Sequence, residues 1–222
     1  MSKIHTIYNI LKYKMLENSW KGVKYLHYKS GRKTLLIIFS AMPPNNIRVY
    51  NYVRGLNKLP LDRLYIKDTW GYRGSYYLYE NGEMEPYQKT CCLIEKIIRE
   101  GNYENIITAG TSKGGSSAII FGLKYNAIHI FSGACQYHIG DYLGIPIHSD
   151  ILKAMKGNLE DKEIIDRLNR FFLSTINQYG NIWNGNLHLI YSKQEHTYKE
   201  HLVDLIDQLK RNNINIIEKE YH

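Results

Sequence analysis

Short apolar runs alternate along this chain with longer stretches in which apolar residues recur every third or fourth position. "KTLLIIFS" (33–40) is a continuous apolar run of strand length, and "LDRLYIKD" (61–68) alternates as a half-buried strand does. "ENIITAG" (104–110), "AIHIFSG" (127–133), "NLHLIYS" (186–192) and "INIIEKEYH" (214–222) complete six predicted strands. Between them, 86–101, 113–125 and 197–212 carry apolar residues at helical spacing. Strands separated by helices of this length predict an α/β fold, a mostly parallel central sheet covered by helices on both faces. Asn81-Gly82 within "YYLYENGEM" (76–84) predicts a small hairpin. Residues 140–185 hold two helix-like segments and no strand, a candidate cap or lid. Residues 1–32 form an N-terminal extension. With no repeat or linker to divide it, the chain is expected to be a single domain over 1–222.

Composition narrows the classes. With 222 residues, 44% hydrophobic and 23% charged, the chain can bury a full core and is not of disordered composition. Its longest apolar stretch, "LLIIFSAM", is far too short to cross a bilayer, and the first residues lack the pattern of a secretory signal. Cys91, Cys92 and Cys135 make an odd count with no zinc-binding spacing, so reduced thiols, a cytoplasmic location and no bound metal are expected. The net charge of +8 is spread in ones and twos rather than gathered with aromatics into a phosphate-tracking stripe. Nucleic acid is therefore not an expected partner, and membrane association is expected to be peripheral at most, at the inner face.

The candidate chemistry lies in "ENIITAGTSKGGSSAIIFGLKYN" (104–126). Gly110-Thr111-Ser112-Lys113-Gly114 reads G-x-S-x-G, with a predicted strand running in and a predicted helix running out. In that context the pattern is a nucleophile elbow, which lifts the Ser112 hydroxyl above the sheet at a helix N-terminus. The Lys113 N–H then points where an oxyanion would develop. The competing reading is a glycine-rich strand-to-helix turn that binds phosphate. No Walker pattern runs through Lys113, and no cofactor is called for.

A serine hydrolase of this kind places an acid and then a histidine after the nucleophile. Glu195, in "HLIYSKQEHTYKEH", follows the fifth predicted strand, and His222 follows the last; both fall beside the elbow. His196 and His201 stand as alternative bases and Asp204 as an alternative acid, and Glu195 also reads as a solvated loop residue. Lys193 is expected to help keep Glu195 ionised. The second oxyanion donor is expected from the loop after the first buried strand, at Ala41, before Pro43 and Pro44 remove their N–H groups. Asp68, Arg73 and Ser75 sit on the same sheet edge and are candidates to contact a sugar, with Trp70, Tyr72, Tyr76 and Tyr77 either stacking on one or packing in the core. Cys135 lines the pocket or is a small buried hydrophobe.

Three blocks, "TAGTSKGGSSAIIFGLKY", "DTWGYRGSYYLYENG" (68–82) and "SGACQYHIGDYLG" (132–144), resemble the capsular polysaccharide biosynthesis proteins of the XcbB/CpsF type. Those in turn resemble the acyltransferase component of accessory secretion systems. The resemblance covers roughly 33–222 and implies a serine-dependent α/β-hydrolase-like fold in cell-surface glycan assembly, with Ser112 as nucleophile, Glu195 as acid and His222 as a less secure base. An esterase or O-acyltransferase forming an acyl-Ser112 intermediate is the leading expectation, with a glycan or acyl donor as substrate. A catalytically silent scaffold that binds partners in a capsule assembly complex is the alternative, and a peptidase or lipase ranks third.

Overall fold

The computed structural model describes residues 13–43 and 47–221. Eight strands form one sheet, in the order β1-β2-β4-β3-β5-β6-β7-β8. All six predicted strands are present: β3 (Thr34–Phe39), β4 (Asp62–Lys67), β5 (Asn105–Thr111), β6 (His129–Gly133), β7 (Asn186–Tyr191) and β8 (Ile216–Glu220). They pair in parallel throughout. The two additional strands, β1 (Asn18–Trp20) and β2 (Val23–Tyr28), lie within the segment read from sequence as an extension. They turn through Lys21-Gly22, both at positive φ, and β2 adds antiparallel to β4. Val23 and Leu26 are fully buried in opposite clusters, with Tyr25 and Tyr28 packed partly buried beside them, so β2 shows no one-face alternation and has little sequence signal.

Helices α1 (Glu85–Gly101), α2 (Lys113–Lys124) and α6 (Val203–Arg211) match the predicted helical stretches. The last is preceded by a π-helical segment, Tyr198–Leu202, so the 197–212 stretch is not one uniform helix. The 140–185 stretch forms α3 (Ile139–Gly144), α4 (Ser149–Lys156) and α5 (Asp161–Tyr179). Ile164, Leu168, Phe172 and Ile176 of α5 join the main core, and α5 packs along α2. The predicted hairpin is present in its smallest form, a single antiparallel bridge between Glu80 and Glu83. Glu80 and Glu83 exchange two backbone hydrogen bonds around Asn81-Gly82, while Tyr76 and Tyr77 sit at positive φ and form no strand arm.

The two sheet faces are covered unequally. Leu35, Ile37 and Phe39 of β3, Ile106 of β5, Ile130 of β6 and Leu187 and Leu189 of β7 pack with α1–α6 in the larger core. The alternate residues Leu36, Ile38 and Tyr65 face a smaller cluster with Tyr13, Tyr50, Val53, Leu56 and Leu61. Further along that face Phe131 and Ile217 are exposed. An apolar groove of about 560 Å³ runs there, lined by Leu36, Leu59, Ile107, Phe131 and Ile190 among others. Because the strands from β3 onward are parallel, the segments after β3, β4, β5, β6, β7 and β8 all emerge along one edge, where a doubly wound sheet gathers its ligand-binding loops.

Candidate active site

β5 runs directly into Ser112, and α2 begins at the next residue. Ser112 has φ 52° and ψ −127°, a conformation that costs on the order of 1–3 kcal/mol for a non-glycine residue. The turn is held by the Ser112 N–H donating to the Gly133 carbonyl at 2.8 Å and by the Gly115 and Ser116 N–H groups closing onto the Ser112 carbonyl. The flanking glycines have a steric reason. A Cβ at Gly110 would lie 2.2 Å from the Gly114 carbonyl oxygen, and one at Gly114 would lie 2.5 Å from that of Phe39. Lys113 is the first residue of α2, so its N–H has no intrahelical acceptor and lies at the positive end of the helix.

Beneath this turn the Lys113 side chain is fully buried. Its Nζ donates to Asp68 Oδ2 at 2.7 Å, and both side chains are 1% exposed. Asp68 Oδ2 also accepts the Ser75 N–H at 2.7 Å and the Tyr77 N–H at 3.3 Å. The Lys113 Nζ lies 4.6 Å from the centre of the Tyr77 ring. Tyr77 continues the network: its hydroxyl accepts the Ser40 N–H at 2.7 Å and donates to the Ile66 carbonyl at 2.8 Å. Burial pulls the Lys113 pKa down, and the Asp68 carboxylate opposes that pull. The pair therefore anchors the first residue of α2 to the loops after β3 and β4.

This placement changes the reading of the sugar-contact candidates. Asp68 and Ser75 are inside the protein, tied to Lys113, and not on a surface a sugar reaches. Arg73 is directed to the 146–150 segment, with Nε donating to Asp150 Oδ2 at 3.0 Å and Nη2 to the Ile147 carbonyl at 3.0 Å. Trp70, Tyr76 and Tyr77 are core residues, whereas Tyr72 is exposed. Cys135 is completely buried, and burial pushes its thiol up to about 11, so it remains a neutral thiol. The Ala41 N–H donates to Asn51 Oδ1 at 2.9 Å; to serve an oxyanion it would have to release Asn51.

Above the turn, Ser112 Oγ accepts a hydrogen bond from Gln136 Nε2 at 3.2 Å. Nothing in the periodicity or motifs points to Gln136. It sits within the "ACQYH" stretch after β6, and only the parallel pairing of β5 with β6 brings it beside Ser112.

Glu195 lies in the turn after β7. Its Oε1 accepts the Tyr221 hydroxyl at 2.7 Å, and its Oε2 faces the Thr197 hydroxyl at 3.4 Å. The Tyr221 N–H in turn donates to the Tyr191 carbonyl at 2.9 Å, which holds Tyr221 beside Glu195. His222 lies outside the described residues. Lys193 pairs with Glu220 at 2.7 Å, correcting the expectation that it serves Glu195. His201 is buried, its Nδ1 accepting the His138 N–H at 3.3 Å, and burial with neighbouring His138 and His196 pushes its pKa down to about 4. His138 Nε2 lies 2.9 Å from Asp204 Oδ2. With His196, Asp141, Tyr142 and Glu200, these histidines line a polar cleft of about 310 Å³ between the segments after β6 and β7. Among the described residues no group of His, Cys, Asp and Glu is arranged to hold a metal ion, and no helix is long and apolar enough to cross a membrane.

A mostly parallel eight-stranded sheet with helices, and a strand-to-helix turn carrying Ser112, define an α/β-hydrolase fold. The capsule O-acetyltransferase of Neisseria meningitidis serogroup A, in a complex of its H228A mutant with CoA, superposes with a TM-score of 0.79 at 27% identity, over 92% of this chain and 85% of that one. The glycosylation-associated Gap123 complex of Streptococcus agalactiae gives a TM-score of 0.74 at 18% identity, covering 92% of this chain and 41% of that one. The fluorophosphonate-binding serine hydrolase FphF of Staphylococcus aureus gives 0.62 at 15% identity, covering 92% of this chain and 88% of that one, a likeness of fold alone. No family model and no curated relative matches the chain.

Proposed function

We propose that this protein is a serine-dependent O-acyltransferase acting in capsular or other cell-surface polysaccharide biosynthesis. The observation that carries the reading is Ser112, held at φ 52° between β5 and the first N–H groups of α2. The similarity to a capsule O-acetyltransferase supports the substrate class, and that protein's complex with CoA makes an acyl-CoA thioester the proposed donor. The XcbB/CpsF resemblance belongs to the same reading.

In the proposed first half-reaction Ser112 Oγ attacks the acyl carbonyl carbon while His222 takes the hydroxyl proton. The Lys113 N–H stabilises the oxyanion of the tetrahedral intermediate. The C–S bond then breaks, and the thiol leaves with the proton from His222. In the second half a sugar hydroxyl attacks the acyl-Ser112 carbonyl, gives its proton to His222, and Ser112 Oγ leaves and recovers that proton. Glu195 would hold the His222 imidazole in the required tautomer and stabilise its charged form. The hydrogen bond between Tyr221 and Glu195 supports this role, because the acid already touches the residue that precedes His222. Water in place of the sugar gives an esterase.

Incubation with an activated ester, followed by mass spectrometry of the Ser112 peptide, tests the proposal. An acyl group on Ser112 is expected, and its transfer to a polysaccharide acceptor defines the acceptor class. Folded protein that takes no label overturns the enzyme reading in favour of a silent scaffold for capsule-assembly partners.

A further inference from the structure

We infer that Gln136 is a catalytic residue of the proposed acyl transfer, directing the Ser112 proton and stabilising Ser112 Oγ as a leaving group. The inference rests on the reading of Ser112 as the nucleophile.

Gln136 is 2% exposed and every part of it is fixed. Its N–H donates to Ser116 Oγ at 3.0 Å, and its carbonyl accepts from that same hydroxyl at 2.8 Å, clamping its backbone to α2. Its side-chain Oε1 accepts the Tyr76 hydroxyl at 3.2 Å. Nε2 faces both Ser112 Oγ at 3.2 Å and the Ala134 carbonyl at 3.3 Å. The Ala134 carbonyl only accepts, so a flipped amide would set two acceptor oxygens against each other. The orientation is therefore chemically determined. Ala134 itself sits at φ 43°, the bend that returns the chain toward Ser112 after β6.

Two consequences follow for the Ser112 hydroxyl. Nε2 has two hydrogens and both have acceptors, so the amide nitrogen cannot receive the Ser112 proton. That proton must point elsewhere, toward the side where a base acts. The donor also strengthens as Oγ gains negative charge, because a hydrogen bond to a charged oxygen is about twice as strong as one to a neutral oxygen. Charge develops on Oγ when its proton leaves during acylation. It develops again when the sugar oxygen forms its bond to the acyl carbon and the C–Oγ bond breaks. Both half-reactions therefore draw on the same N–H.

The test is pre-steady-state turnover of p-nitrophenyl acetate, in which the burst of p-nitrophenolate reports acylation and the following steady rate reports deacylation. Gln136→Met keeps the length and removes the donor. It is expected to slow both phases about tenfold or more, with KM unchanged and the acetyl group still found on Ser112. Equal rates in wild type and folded Gln136→Met overturn the inference while leaving Ser112 as the nucleophile. If Gln136→Met does not fold, Gln136→Asn decides, since it keeps a polar amide in the buried site but draws its N–H back from Ser112 Oγ by one methylene. A burst slowed about threefold supports the inference and an unchanged burst overturns it. Wild-type protein that shows no burst and no acetylated Ser112 overturns the functional reading and this inference together.

Discussion

The two sides of the candidate active site are built differently. On the nucleophile side, Ser112 stands on a fully buried lattice in which Lys113, Asp68, Ser75, Tyr77 and Ser40 fix one another across three loops. On the acid side, Glu195 is held by hydroxyls of Tyr221 and Thr197, and Tyr221 is itself exposed. A strained φ at Ser112 persists only where its surroundings over-determine it, and the buried lattice does that. The Glu195 loop has no such strained residue to hold, and two hydroxyls fix its carboxylate. Rigidity is concentrated where the backbone pays a conformational cost.

The largest expected effect breaks the nucleophile side outright. Ser112→Ala and His222→Ala should each lower ester turnover by roughly 10⁴-fold or more, as in other serine–histidine enzymes, with melting temperatures close to wild type. Full activity after removal of His222 would move the role of base to His196 or His201.

Next in size is the buried ion pair. Lys113→Met leaves the Asp68 carboxylate without its cation in a dry site and should cost about 3–5 kcal/mol of folding stability, read from urea or thermal unfolding. Adding Asp68→Leu removes the orphaned charge, so the double variant should recover much of that loss. Equal stability of the single variant and wild type would show that the lattice does not anchor the turn.

The acid side is expected to be softer. Glu195→Gln should reduce turnover by roughly 10²-fold, since the amide can leave the imidazole in the wrong tautomer, while melting temperature hardly moves. A loss below about tenfold, or roughly 1.4 kcal/mol of barrier, would make Glu195 a loop residue and the site a Ser–His dyad.

The smallest effect concerns the neighbouring histidine cleft. The His201 pKa is about 4 in the folded protein, against 6.5 when unperturbed, so the unfolded chain binds its proton first. Its contribution to stability is full above pH 6.5 and is lost as the pH falls toward 4. At pH 5.5 the loss is on the order of 1 kcal/mol. The melting temperature of His201→Gln should therefore fall less than that of wild type between pH 7 and 5.5. Parallel curves would show that His201 titrates normally.

Much of this architecture follows from sequence because it rests on local physics. The six parallel strands announce themselves as apolar runs, and G-x-S-x-G between a strand and a helix specifies a turn too tight for any Cβ at Gly110 or Gly114. Strand β2 was illegible because its pairing with β4, not its own pattern, makes it a strand. The roles of Asp68 and Ser75 were misread for a related reason. A charged residue at the carboxyl edge of a sheet looks available to substrate until the fold buries Lys113 against it. Gln136 lies within a block that carries a family resemblance, but neither periodicity nor a motif assigns it a role 24 residues from Ser112, and strand pairing delivers it to the hydroxyl. Backbone turns and apolar periodicity are written residue by residue and so belong to the sequence. Which polar groups end buried together depends on distances between separate loops, and only the packed sheet sets those.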